Sequence, residues 1–119
     1  MILKRFNELT LDELYEIYKL RMEIFVVEQN CPYMDIDYLD KEAYHLMYLK
    51  NNELIAYLRI MFNDGYAKIG RVVSKYRMNG NGKELMLEAI KFIKENKFKR
   101  IEIAAQEYAI KFYESVGFK

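Results

Sequence analysis

Apolar residues recur along this chain with two different periods, and the changes from one to the other mark the elements. Ile2 to Phe6 reads as a short strand. Thr10-x-x-Glu13 is a capping box, in which a hydroxyl and a carboxylate satisfy the first free N–H groups of a helix. Leu11, Leu14, Tyr15, Tyr18, Met22 and Phe25 then fall at helical spacing, which predicts a helix to about Val27. The stretch from Glu28 to Ala43 holds the only proline and five acidic residues, and reads as a long loop with room for a turn of helix.

Strand-like patterns follow. Tyr44 to Leu49 is a strand, and Asn51-Asn52 a tight turn. Leu54 to Phe62 is almost unbroken apolar, as in a strand covered on both faces. Asn63-Asp64-Gly65 is a hairpin turn, and Tyr66 to Val73 returns as a strand. From Gly80 to Asn96 the period is helical again, with Met86, Ala89, Ile90 and Ile93 on one face. Arg100 to Ala105 is a further strand. Glu107 to Val116 is a last helix, with Ala109, Phe112, Tyr113 and Val116 in its stripe and Gly117 at its C-cap. The order is β-α-loop-β-β-β-α-β-α. Hairpins make neighbouring strands antiparallel, and the crossover helix makes the fourth and fifth strands parallel neighbours. The reading is a single α+β domain over residues 1–119, with a mixed, mostly antiparallel sheet flanked by helices.

Composition narrows the class. The net charge of +1 gives no global field toward nucleic acid or an anionic membrane, so neither is expected as a partner. Cys31 is the only cysteine, so no internal disulfide forms, which suits a reducing compartment. The start, MILKRFNEL, lacks a long apolar segment with a cleavage site. No apolar run approaches the roughly 18–20 residues of a membrane span. A soluble cytoplasmic protein is expected.

The chemistry concentrates at RVVSKYRMNGNGKELM, residues 71–86. A strand ends, two glycines follow one residue apart, and a helix begins. The first N–H groups of a helix have no internal partner and its dipole adds partial positive charge there. Gly80 and Gly82 let an anion approach without a Cβ in the way, and Lys75, Arg77 and Lys83 add charge nearby. Glu84 follows Lys83, so the Walker A pattern fails, and no third glycine near Leu85 completes a dinucleotide fingerprint. Taken alone, the turn reads as a flexible connection with a glycine helix start ahead of a phosphate cradle.

The surroundings decide between these. Arg77-x-x-Gly80-x-Gly82 after a strand matches the Arg/Gln-x-x-Gly-x-Gly/Ala motif of the GNAT superfamily of N-acetyltransferases. Gln106-x-x-Ala109-x-x-Phe112-Tyr113-x-x-x-Gly117-Phe118 resembles that family's last conserved helix, and Phe25 to Tyr33 resembles its ElaA-like branch. The resemblance spans essentially the whole chain.

It implies a GNAT (acyl-CoA N-acyltransferase) fold in which acetyl-CoA, the cosubstrate, lies where the fourth and fifth strands splay apart. The pantetheine arm is then expected along Gly70, Arg71 and Val72. The pyrophosphate is expected at the amides of Met78, Asn79, Gly80, Asn81, Gly82 and Lys83, with Arg77 shaping the turn. Tyr113 stands at the family's general-acid position, where a phenol protonates the departing thiolate. Gln106 replaces the family's usual asparagine beside the pantetheine. The family's fifth-strand carboxylate falls here on Ile101, so Glu28 or His45 is the candidate group on the acceptor side, as base or substrate contact. His45 is the only histidine, and its unperturbed pKa of about 6.5 suits a base; a lone strand histidine is also commonly structural. Cys31 has no histidine near it in sequence and is not expected to react. Asp35, Asp37 and Asp40 lack the calcium-loop pattern and read as a solvated, cation-attracting rim, with no metal expected.

The implied activity is acetyl transfer from acetyl-CoA to a primary amine, on a small molecule or peptide, by direct attack. The alternative is a non-catalytic acyl-CoA-binding or oligomerisation module. Family members usually continue through two more strands, whereas this chain stops at Lys119. The chain is then a natural short form, a fragment, or one half of a pair. The last of these is the expectation: Arg100 to Ala105 presents an open edge, through which a homodimer forms.

Overall fold

The computed structural model describes residues 1–24, 38–75 and 80–103. Five strands form one sheet in the order of the chain: β1 (Ile2–Arg5), β2 (Tyr44–Lys50), β3 (Glu53–Asn63), β4 (Tyr66–Ser74) and β5 (Ile101–Ile103). β1 to β4 pair antiparallel, and β5 lies parallel to β4, with Ala67 opposite Ile101 and Ile69 opposite Ile103. Helix α1 (Leu11–Arg21) follows β1, and α2 (Asn81–Glu95) is the crossover between the parallel strands. This is the α+β arrangement read from the sequence. The predicted last helix falls on residues outside the described ones.

The hairpins owe their register to their turns. Asn51 and Asn52 take φ of 53° and 62°, the left-handed pair that matches the twist of two-residue hairpins. In the next hairpin Gly65 takes φ of 83°, a value a side chain disfavours.

The sheet separates two cores. On one face, Leu46, Leu58, Ile60 and Ile69 pack against Leu85, Met86, Ala89 and Ile93 of α2. On the other, Met47, Tyr57 and Val73 pack against Ile17, Leu20 and Ile24. β3 is buried from Leu54 to Ile60, which is why its sequence is apolar without alternation.

Helix α1 departs from the sequence reading in its buried face. Leu11, Tyr15 and Met22, assigned to the apolar stripe, are exposed, while Ile17, Leu20, Arg21 and Ile24 are buried. The buried set has the spacing i, i+3, i+4, i+7 of a core-facing helix. Its third member is an arginine, so a count of apolar residues alone rotates the face. The capping box forms as read: the Thr10 hydroxyl accepts from Glu13 N–H at 3.1 Å, and Glu13 accepts from Thr10 N–H at 2.8 Å. Glu13 also pairs with Lys4 Nζ at 2.9 Å, which ties the helix start to β1. Partial burial pushes the Glu13 carboxyl up, but the Thr10 N–H and Lys4 outweigh it and hold the group below its ordinary value.

Loss of this cap has a definite size. Thr10→Ala should lower unfolding stability by about 1 kcal/mol, whereas Leu11→Ala, at a side chain 87% exposed, should stay within about 0.5 kcal/mol. Urea denaturation of the two variants checks this; equal losses would contradict it.

Candidate functional site

The end of β4 and the start of α2 meet at the carboxyl ends of the parallel strands, the usual location of ligand crevices in such sheets. Two backbone features mark the place. The first is a bulge in β4. Arg59 of β3 lies opposite Gly70 and Tyr57 opposite Val73, so β4 carries one residue more than its partner. Arg71 lies within the bulge at φ 52°, a left-handed conformation that costs a non-glycine residue of order 1 kcal/mol or more. The described pairing of β4 with β5 ends at Ile69, just before the bulge.

The second feature is Gly80, the N-cap of α2, at φ 85°. Among the described residues, a Cβ built there would meet nothing within 4 Å. The rest of α2 is anchored by its buried face, which fixes where its free N–H groups lie. Asn81 is buried and Lys83 exposed. In the first turn of α2, Glu84 accepts a 2.6 Å hydrogen bond from the Tyr48 hydroxyl, which links β2 to the helix start and raises the Tyr48 pKa. A bulged strand and a glycine-capped helix start suit an extended ligand ending in an anionic group. Gly70, Arg71, Val72, Gly80, Asn81, Gly82 and Lys83 are all found at this end of β4 and α2. Arg77, Met78, Asn79, Gln106, Tyr113 and Glu28 lie outside the described residues, as do Asp35 and Asp37.

Behind the bulge, on the α1 face, lies a buried polar network. Asp40 sits in the 3-10 turn Leu39–Glu42 and is 1% exposed. Its Oδ1 accepts from Arg21 Nη1 at 2.7 Å and from Arg59 Nη1 at 3.0 Å, both buried. Asp40 is thus no part of a solvated rim. It is drawn inward because two guanidinium groups on α1 and β3 need an anion there.

His45 belongs to the same network. Its Nε2 lies 2.8 Å from the Asp40 carbonyl oxygen and its Nδ1 2.6 Å from the Tyr57 hydroxyl. A carbonyl only accepts, so Nε2 carries the proton and Nδ1 accepts from Tyr57. The ring is fully buried, and both nitrogens are engaged away from solvent. Burial lowers its pKa, against the opposing pull of Asp40. Burial likewise pushes the Tyr57 phenol far up. The structure gives His45 the structural place that a lone strand histidine commonly has.

Arg21, Arg59 and Tyr57 were not singled out from the sequence. The available signal was a charge inside an apolar run: Arg59 interrupts Leu54 to Phe62, and Arg21 interrupts Ile17, Leu20 and Ile24. A buried charge demands a partner, and Asp40 is that partner.

The network makes a pH prediction. The folded-state pKa of His45 lies below its unfolded value, so its contribution to stability is complete above about pH 6.5 and is lost as pH falls below that. As this is the sole histidine, its ring resonance in an NMR titration should show a midpoint below about 6.5. A midpoint at or above that value would contradict the assignment.

Comparison with known proteins agrees with the geometry. The sequence model of the Acetyltransferase (GNAT) family matches residues 11–118. A UPF0039 protein of Schizosaccharomyces pombe is 43% identical, over 99% of this chain and 83% of its own length. Protein ElaA of Escherichia coli is 38% identical, over 94% of this chain and 78% of its own. The crystal structure of E. coli ElaA superposes with a TM-score of 0.92 over 99% of this chain and 85% of that one, at 35% identity. An acyl-CoA N-acyltransferase from Pseudomonas aeruginosa superposes with 0.89 over 98% of this chain and 86% of that one, at 38% identity. With its family model, its relatives and its sheet in agreement, the chain belongs to the GNAT family of acetyltransferases.

Proposed function

We propose that this protein moves an acetyl group from acetyl-CoA to a primary amine by direct attack. The observation that carries this reading is the pairing of the β4 bulge at Arg71 with the glycine-capped start of α2. In this reading the diphosphate lies against the amides of residues 78–83, and the pantetheine arm pairs with the backbone of residues 70–72. A backbone N–H near Val72 polarises the thioester carbonyl. The amine nitrogen, in its neutral form, attacks the carbonyl carbon. The C–S bond then breaks, the thiolate takes the Tyr113 phenolic proton, and the amine sheds its own proton to water. In this reading His45, whose ring nitrogens are both engaged in the buried network, takes no direct part in the transfer, and Glu28 is the acceptor-side group. A homodimer formed along β5, the last strand of the described sheet, completes the reading.

Titration calorimetry with acetyl-CoA tests the cofactor assignment. Binding in the micromolar range (about −8 kcal/mol) is expected for the parent protein and should be lost in Gly82→Trp, whose indole fills the helix start. Equal affinity in the two would move the cofactor elsewhere. Release of CoA thiol with a panel of amines tests the chemistry. Tyr113→Phe should lower turnover by roughly 10²-fold or more with little change in acetyl-CoA affinity; unchanged turnover would remove Tyr113 as the acid.

A further inference from the structure

A left-handed Arg71 persists only where its surroundings over-determine it. Nothing in the residue itself favours that conformation, since arginine is neither glycine nor asparagine. The last regular pair before the bulge sets Arg59 opposite Gly70, the residue preceding Arg71. A Cβ placed on Gly70 would lie 3.8 Å from Arg59 Nε, so the arginine side chain runs in contact range beneath the bulged backbone. Arg59 is itself fixed: it is 3% exposed and pairs with Asp40, which also holds Arg21.

We propose that Asp40 and Arg59 are positioning residues of acetyl transfer, whose buried ion pair holds the β4 bulge in the shape that points its N–H at the thioester carbonyl. The proposal rests on the acetyl-CoA reading above and goes beyond it. Three facts support it together. An apolar residue at position 59 would complete the core with one buried charge fewer, since Asp40 would keep Arg21 as its partner. The bulge departs from regular pairing at the residue facing that arginine. And the same carboxylate grips the end of α1, so α1, the turn at residues 39–42 and β3, the strand against which the bulge lies, are joined at one atom, Asp40 Oδ1. A pair that merely held the fold together would not need to abut the strained backbone.

Infrared spectroscopy of bound acetyl-CoA, labelled with ¹³C at the thioester carbonyl, reads the polarisation directly and needs no acceptor. In the parent protein the carbonyl band should move to lower wavenumber than in water. Arg59→Lys keeps the charge but loses the planar, forked geometry, and Asp40→Asn keeps the shape but loses the charge. Both should return the band toward its free position while acetyl-CoA affinity changes by less than about tenfold, that is about 1.4 kcal/mol. Arg59→Met is the second route: it removes one buried charge and leaves Asp40 paired with Arg21, so it should have the same effect even where Asp40→Asn fails to fold. A band unmoved by any folded one of these variants would overturn the positioning role while leaving the cofactor reading intact. Failure of the parent protein to bind acetyl-CoA would instead overturn the reading on which this role depends.

Discussion

One carboxylate oxygen joins three parts of this small domain. Asp40 Oδ1 lies within hydrogen-bond reach of Arg21 on α1 and Arg59 on β3, and both pairs are out of water. Desolvating such charges is costly, and only close pairing compensates for it. Removing one partner would leave an uncompensated buried charge, at a cost of about 3–5 kcal/mol. That asymmetry makes the cluster a strong constraint on geometry even where it adds little to net stability. It fixes the end of α1, the turn before β2 and the middle of β3. Through the Asp40 carbonyl it also sets the proton position on His45, and through His45 the direction of the Tyr57 hydroxyl.

The site is built on what this constraint holds still. β3 is the central strand, buried on both faces, and β4 is aligned against it. The bulge at Arg71 interrupts that alignment at one place, the carboxyl end of β4, next to the start of α2. There the structure departs from regular pairing, with the bulged strand on one side and the helix start on the other. Backbone amides at such places recognise a long, polar, anionic-ended ligand through the main chain. GNAT membership agrees with that arrangement.

Much of the architecture was legible because it follows from periodicity and turn chemistry. The paired asparagines and Gly65 specified the hairpins, and the helical run after Gly80 specified the crossover that makes β4 and β5 parallel. The glycine at the start of α2 was legible as well, since Gly80 takes φ 85° as the N-cap of that helix. What could not be read had long-range causes. The α1 face was misplaced because Arg21 occupies a core position that a count of apolar types treats as solvent. Asp40 looked like one of several loop acids, and only the folding of two distant arginines onto it makes it different from a surface carboxylate. The bulge had no local signature, because Arg71 is held left-handed by its neighbours rather than by its own preference. His45 appeared as a possible base by its type, and its burial is visible only once β1, β2 and β3 are assembled around it.

The central claim is that the bulged end of β4 and the glycine-capped start of α2 form one acyl-CoA site. A crystal structure of the protein with CoA tests this most directly. The account predicts the diphosphate against the amides at the start of α2 and the pantetheine arm along residues 70–72. CoA bound elsewhere, with the bulge and Gly80 left untouched, would contradict it.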